Sequence, residues 1–160
     1  MHDLDRTDIR ILEALQNDGR VTNQDLSDRV NLSPSACLRR VRGLEQAGVI
    51  MGYGAELSPA AVGRASNIFI EITLTSQSEG VLDAFERAIA GVPDVMECYL
   101  MAGDFDYLVR VAASSAEDYE RIHKEHLSRL PGVARIRSMF AMRTVCKKRG
   151  FALPGEGIVP

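Results

Sequence analysis

A chain of 160 residues, 46% hydrophobic and 26% charged, has the balance of an ordinary globular protein and the length for one large domain or two small ones. No apolar run approaches the roughly 18 to 20 residues of a membrane span, and the start MHDLDRTDIR is too polar for a signal peptide, so no membrane partner and a cytoplasmic location are expected. A net charge of −3 excludes a body coated in positive potential and leaves room for a local basic face. The three cysteines, Cys37, Cys98 and Cys146, are odd in number and far apart; they imply neither a disulfide framework nor a zinc site and are expected to be small, buried or semi-buried hydrophobes.

The first segment, Leu4 to Asn17, places Leu4, Ile11, Leu12 and Leu15 on one helical face, with Asp18-Gly19 closing it. Thr22 followed by Asp25 resembles a capping box and starts a short helix, Asn23 to Val30, with Leu26 and Val30 inward. Asn31 suits the left-handed residue of a tight turn into a third helix, and Leu32 is expected to plug the three-helix core. That third helix has a strong start, with Ser33 as cap and Pro34 at the first helical position, and it runs to Gly48. Three short helices so joined describe a helix-turn-helix unit.

On the third helix Leu38, Val41 and Leu44 make an apolar stripe, while Ser35, Arg39, Arg42 and Gln46 line another face, flanked by Arg40. Three arginines and no acidic residue lie between Ser33 and Leu44. Such a face suits a helix whose first turns enter a DNA major groove while guanidinium groups meet phosphates or guanine edges. The alternative is a solvated helix with ordinary surface arginines. The expected DNA-binding set is Asn23, Ser33, Ser35, Ala36, Arg39, Arg40 and Arg42.

After Gly48 the composition changes. Val49 to Leu57 is glycine-punctuated and strand-like, a short strand or wing, and Ser58-Pro59 ends it, so the boundary falls near residues 58 to 65. Ile68, Ile70, Ile72 and Leu74 then alternate with Phe69, Glu71, Thr73 and Thr75, a half-buried strand. Ser78 caps a helix with Leu82, Phe85 and Ile89 inward, ended by Gly91 and Pro93. Strands follow at Val95 to Met101 and Tyr107 to Ala113, joined by Ala102 to Asp106; a helix capped by Ser115 buries Tyr119, Ile122, Leu127 and Leu130; a last strand runs from Val133 to Val145. The helix ends VPDV and LPGV repeat faintly. The order β-α-β-β-α-β is the ferredoxin-like arrangement, with both helices on one sheet face. The other face, bearing residues such as Phe69 and Tyr99, is expected to meet its own copy in a two-fold dimer, which would also give DNA two half-sites to read.

The expected fold is therefore α+β. A helix-turn-helix, winged-helix-like domain occupies 1–57 with a linker to about 65, a βαββαβ domain 66–146, and a tail 147–160. LDRTDIRILEALQNDGRVTNQDLSDRVNLSPSACLRRVRGLEQAGVIMGY, followed by ECYLMAGDFDYLVRV and LPGVARIRS, resembles the Lrp/AsnC family of bacterial transcription regulators from Leu4 to about Val145. The resemblance implies a regulator of double-stranded DNA, associated with the nucleoid. Its C-terminal domain would dimerise through the sheet, its dimers would assemble to tetramers or octamers, and a small amino acid such as leucine or methionine would bind between dimers. By position the effector loop is Gly103, Asp104, Phe105, Asp106 and Tyr107. In that loop Gly103 permits close backbone approach, exposed N–H groups meet an α-carboxylate, and Asp104 or Asp106 accepts from an α-ammonium, with Leu100, Met101 and Met139 as an apolar pocket. The plain alternative is a hairpin loop whose aspartates serve turn geometry.

Other signals are weak. Glu120-x-x-His123 occurs once where a bundle metal site needs it twice, and His126 reads as surface or rim. Asp104-x-Asp106 lacks further oxygen ligands for a cation. No nucleophile elbow, P-loop or dinucleotide fingerprint is present, so neither an enzymatic activity nor a metal or cofactor is expected. The run Arg143, Lys147, Lys148, Arg149 reads as a solvated strand end or, less simply, an auxiliary phosphate contact. The competing function is an architectural protein that wraps or bridges DNA without a small-molecule effector; a small enzyme on a ferredoxin-like fold is a third class without a visible catalytic constellation.

Overall fold

The computed structural model describes residues 3–148 and 150–153. It divides into two compact units, one made of the described residues of 1–56 and 145–160, the other of 57–144. The expected Arg149 lies outside the described residues.

In the first unit α1 (Arg6–Asn17), α2 (Asn23–Val30) and α3 (Pro34–Gln46) pack around Ile11, Leu12, Leu26, Val30, Cys37 and Leu44. Each helix start is capped by a side chain. Asp5 and Asp8 form a reciprocal capping box on α1, Thr22 Oγ1 accepts from Asp25 N, and Ser33 Oγ from Ala36 N. Asn31 is left-handed at φ 57°, ψ 51°, and Leu32 folds back to pack on the core, its N–H donating to Ser27 O.

Two expectations for this unit are corrected. Leu38 is 38% exposed, whereas Cys37 is fully buried, so the inward stripe of α3 is Cys37, Val41 and Leu44, one residue round from the expected one. Small Cys37 fits where α1, α2 and α3 converge, and it leaves branched Leu38 on the rim. No strand or wing forms over 49–57. Val49 and Ile50 pack on the three-helix core and Tyr53 donates to Glu45 at 3.0 Å, but a strand needs a ladder partner, and this segment has none among the described residues.

The tail contributes to this unit rather than standing apart. Gln16 brackets the Phe151 backbone, accepting from its N–H at 2.7 Å and donating to its carbonyl at 3.3 Å, while Leu153 joins the core periphery. Gly150 is what allows this approach, since a Cβ there would lie 2.7 Å from Gln16 Oε1. Cys146 is exposed, against the expectation of burial or semi-burial, in a stretch without regular secondary structure.

The second unit is β1 (Ser66–Leu74), α4 (Glu79–Ile89), β2 (Val95–Leu100), β3 (Tyr107–Ala113), α5 (Ala116–Glu125) and β4 (Val133–Phe140), with a single 3-10 turn at Leu127–Arg129. The sheet is antiparallel in the order β2-β3-β1-β4, the ferredoxin-like order. The period-2 signal of β1 holds residue by residue: Ile68, Ile70 and Ile72 are fully buried, Leu74 nearly so, and Val109, Val111 and Ala113 match them on β3. Phe85, Ile89, Tyr119, Ile122, Leu127 and Leu130 cover this face from the helices and the turn. Ser78 stands at the start of α4 without a side-chain cap bond. The last strand stops at Phe140, five residues short of expectation: after the pair Ile68 with Phe140 one more bond runs from Ala141 N to Asn67 O at 2.9 Å, and β1, which begins at Ser66, offers no ladder to residues 143–145.

The two similar helix ends do different work. In LPGV, Gly132 takes φ +74°, and a Cβ there would lie 2.6 Å from Val81 Cγ1. Gly132→Ala is expected to cost about 2–3 kcal/mol, combining left-handed strain with a clash against a stiff β-branched side chain. Thermal unfolding of the second unit should show a fall of roughly 8–20 °C. A melting temperature within 2 °C of the parent would contradict this account of the turn.

Candidate nucleic-acid interface and ligand loop

The exposed face of α3 carries Ser35, Arg39, Arg42 and Gln46, all solvent-facing. Among the described residues no carboxylate lies within ion-pair distance of Arg39 or Arg42. Ser33 and Ser35 hydroxyls stand 3.3 Å apart at the helix start, with Ala36 half-buried beside them. Four polar side chains on one strip, two of them cations without an acidic partner, form a surface suited to phosphates and base edges.

Arg40 departs from this set. Its guanidinium turns to the start of α1, where Nη1 meets Asp5 Oδ2 at 2.6 Å and Asp8 Oδ1 at 2.8 Å. Those two carboxylates are also the capping box of α1, and Asp5 is held below the usual carboxylate range, first by the Asp8 backbone N–H and further by Arg40. Arg40 thus sets α3 against α1 and is spent on that pairing. Asn23 has a similar role: its amide donates to Pro34 O at 2.9 Å, tying the start of α2 to the start of α3, while its buried Oδ1 has no partner among the described residues. Of the seven expected contacts, Ser33, Ser35, Ala36, Arg39 and Arg42 share the strip; Asn23 and Arg40 hold its frame.

In the second unit the loop after β2 is a hairpin tip pinned at its base, where Met101 N donates to Asp106 O at 2.8 Å and Asp106 N to Ile72 O at 2.9 Å. Gly103 and Asp104 are exposed, Phe105 is half-buried, and nothing lies within 4 Å of where a Gly103 Cβ would stand. The two aspartates of the loop therefore differ. Asp106 is 5% exposed and already committed, its Oδ2 accepting from Leu74 N at 2.7 Å and its Oδ1 from Gln77 Nε2 at 2.6 Å. Tyr107, also expected to contact a ligand, points into the core; its hydroxyl donates to Glu86 at 2.8 Å, and burial pushes its ionisation up.

The expected apolar pocket does not close within one chain. Leu100 faces the helices, lining with Met96, Ile89 and Tyr107 a cleft of about 430 Å³ between α4 and β2. In that cleft burial pushes the Cys98 thiol up to about 11, which leaves it an inert thiol. Met139 lies opposite Phe69 on β4, the other edge of the sheet and the other face. The residues that gather at the tip are Met101, Gly103, Asp104 and Phe105.

The uncovered sheet face carries Phe69, Leu108, Tyr99 and Met139, with Tyr99 52% and Met139 36% exposed. Two of its arginines are paired across strands, while Arg135, opposite Thr73, has no carboxylate within ion-pair distance among the described residues. Arg110 meets Glu97 at 2.5 Å and Asn67 at 3.1 Å, and Arg137 meets Glu71 at 3.5 Å. Residues that the sequence reading passed over are thus the partners of expected ones: Asp5 and Asp8 for Arg40, Leu74 and Gln77 for Asp106. Only the Asp5-x-x-Asp8 cap spacing was visible in advance. Among the described residues no helix is long and apolar enough to cross a membrane.

Comparison with known proteins agrees with this arrangement. Residues 4–51 match a family described as winged helix-turn-helix DNA-binding, and residues 67–151 match the Lrp/AsnC ligand binding domain. The leucine-responsive regulatory protein of Escherichia coli K12 is 43% identical over 143 residues, covering 89% of this chain and 87% of that protein. A transcriptional regulator of Neisseria meningitidis, solved as a complex with L-Met, superposes with a TM-score of 0.86 at 34% identity, covering 91% of this chain and 94% of that one. An AsnC family regulator from Agrobacterium tumefaciens gives 0.88 at 32% identity, with 93% and 97% covered. With a domain match over just over half of its length and a 43% identical relative along most of it, the chain belongs to the Lrp/AsnC family, a family of DNA-binding transcription regulators and not of enzymes.

Proposed function

We propose that this regulator reads double-stranded DNA as a two-fold pair, in the cytoplasm at the nucleoid, and changes its DNA affinity or its assembly when a small amino acid occupies the hairpin tip. The observation that carries the reading is the strip of Arg39 and Arg42 on α3, without a carboxylate partner among the described residues and framed by Arg40 and Asn23. The partly apolar sheet face around Phe69, Leu108 and Tyr99, with Arg110 and Glu97 paired on it, supports pairing with a second copy. The exposed backbone and the exposed carboxylate at Gly103 and Asp104 suit a zwitterion, and the Neisseria relative's complex with L-Met supports an apolar amino acid such as methionine or leucine. Met101 and Phe105 would supply part of its apolar wall, and Met139 of another chain the rest, on the reading that the effector sits between dimers assembled to tetramers or octamers.

Titrating the full chain with a panel of amino acids, while following DNA binding and oligomer size together, tests this. At least one apolar amino acid is expected to change DNA affinity by roughly 5- to 150-fold or to shift the oligomer distribution. If none alters either readout, the chain is an architectural DNA-wrapping or bridging protein and the effector reading is wrong.

A further inference from the structure

The first residues of the second unit are built, not slack. From Ser58 to Arg64 the chain makes one helical turn: Val62 N donates to Ser58 O at 3.2 Å, and Ala61 N to Ser58 Oγ at 3.4 Å. Gly63, at φ +69°, ends the turn, its N–H donating to Ala60 O at 3.2 Å and that of Arg64 to Pro59 O at 2.7 Å. This is the double closure that terminates full helices. The next side chain is bolted down. Arg64 Nη1 lies 2.8 Å from Asp94 Oδ1 and 3.3 Å from Asp118 Oδ2, and it reaches the Ala112 carbonyl at 3.5 Å.

These partners are themselves fixed. The Asp94 side chain is 4% exposed, and its carbonyl accepts from Ala112 N at 3.1 Å. Asp118 accepts from both the N–H and the hydroxyl of Ser114 at 2.9 Å and is held down to about 2, chiefly by that backbone N–H and by Arg121. Arg64 therefore joins the turn to the end of β3 and the start of α5, two residues before β1 begins.

We infer that Arg64 is a positioning residue for DNA recognition: its clamp on Asp94 and Asp118 fixes the point at which the chain leaves the second unit, and so sets the spacing and helical phase of the two half-sites that a paired regulator accepts. This inference rests on the proposed DNA reading. A half-site is selected from random duplex DNA with the wild-type chain, and binding is measured to one copy and to two copies with the spacer varied in single base pairs over one helical turn. Arg64→Ala is expected to bind the single half-site within twofold of wild type, to flatten the spacing profile, and to lose roughly tenfold at the best spacing. Arg64→Lys, which keeps a cation on the two carboxylates, should restore most of the profile. Arg64→Gln, with a similar stem and no charge, should behave as alanine does and serves as the second variant if alanine fails to fold. A neutral variant that keeps the wild-type profile, or a wild-type profile that is flat while single half-sites bind, overturns the role of Arg64 and leaves the DNA reading intact. Failure of the wild type to bind any duplex overturns the DNA reading, and this inference with it.

Discussion

Arg39→Ala and Arg42→Ala are each expected to weaken DNA binding by about 1–3 kcal/mol per recognition helix, and the double variant to abolish specific binding at physiological salt. Both guanidinium groups lie on the exposed strip of α3 with no carboxylate to consume them among the described residues, so binding DNA breaks no existing pair. The loss has a signature. Each phosphate contact removed should lower the steepness of log K against log salt by about 0.9. A guanine contact would instead relax base preference at one position, with little change in slope. Arg40→Ala should behave differently from both. It breaks the pair with Asp5 and Asp8, at a cost to the first unit of about 1 kcal/mol after allowing for the partial exposure of the pair. Affinity should fall through displacement of α3, with the salt slope unchanged. Slopes measured for the three single variants, beside thermal unfolding, separate the roles; an Arg40→Ala slope reduced by a full contact would return Arg40 to the DNA face.

That contrast shows where the sequence was readable. Features set by residues close in the chain were legible: the Ser33-Pro34 start, the left-handed Asn31, and the alternation from Ile68 to Leu74 all follow from local backbone and burial rules. Arg39 and Arg40 look alike in sequence and differ because α1 brings two carboxylates to only one of them, from more than 30 residues away. Asp104 and Asp106 look alike too, and it is the Leu74 N–H and the Gln77 amide that make Asp106 structural. Strand lengths failed for a related reason. Val49 to Leu57 has strand-like composition without a ladder partner among the described residues, and the expected last strand, to Val145, outran the ladder that β1 offers. Propensity proposes a strand, but its hydrogen bonds have to be supplied by another segment.

Asp106→Ala is expected to destabilise the second unit by about 3–4 kcal/mol, because it strips the acceptor from the buried Leu74 N–H and from the Gln77 amide together. A unit of this size would then lose roughly 12–30 °C in melting temperature. Asp106→Asn keeps one carbonyl oxygen for Leu74 N–H, and Gln77 can turn its own carbonyl toward the new amide, so it should cost about 1 kcal/mol or less. This pair of variants also decides which aspartate meets the effector. If Asp106 is scaffold and Asp104 the ammonium acceptor, Asp106→Asn retains the amino-acid response seen in DNA binding, whereas Asp104→Asn, at an exposed position, leaves stability within 0.5 kcal/mol and weakens the response about tenfold through loss of a charge-assisted bond. The reverse pattern, a stable Asp106→Asn chain that no longer responds, would mean that the carboxylate leaves Leu74 and Gln77 to meet the ligand. The loop would then have to rearrange on binding, since both oxygens of Asp106 are already held by donors from the segment that follows β1 and from its last residue.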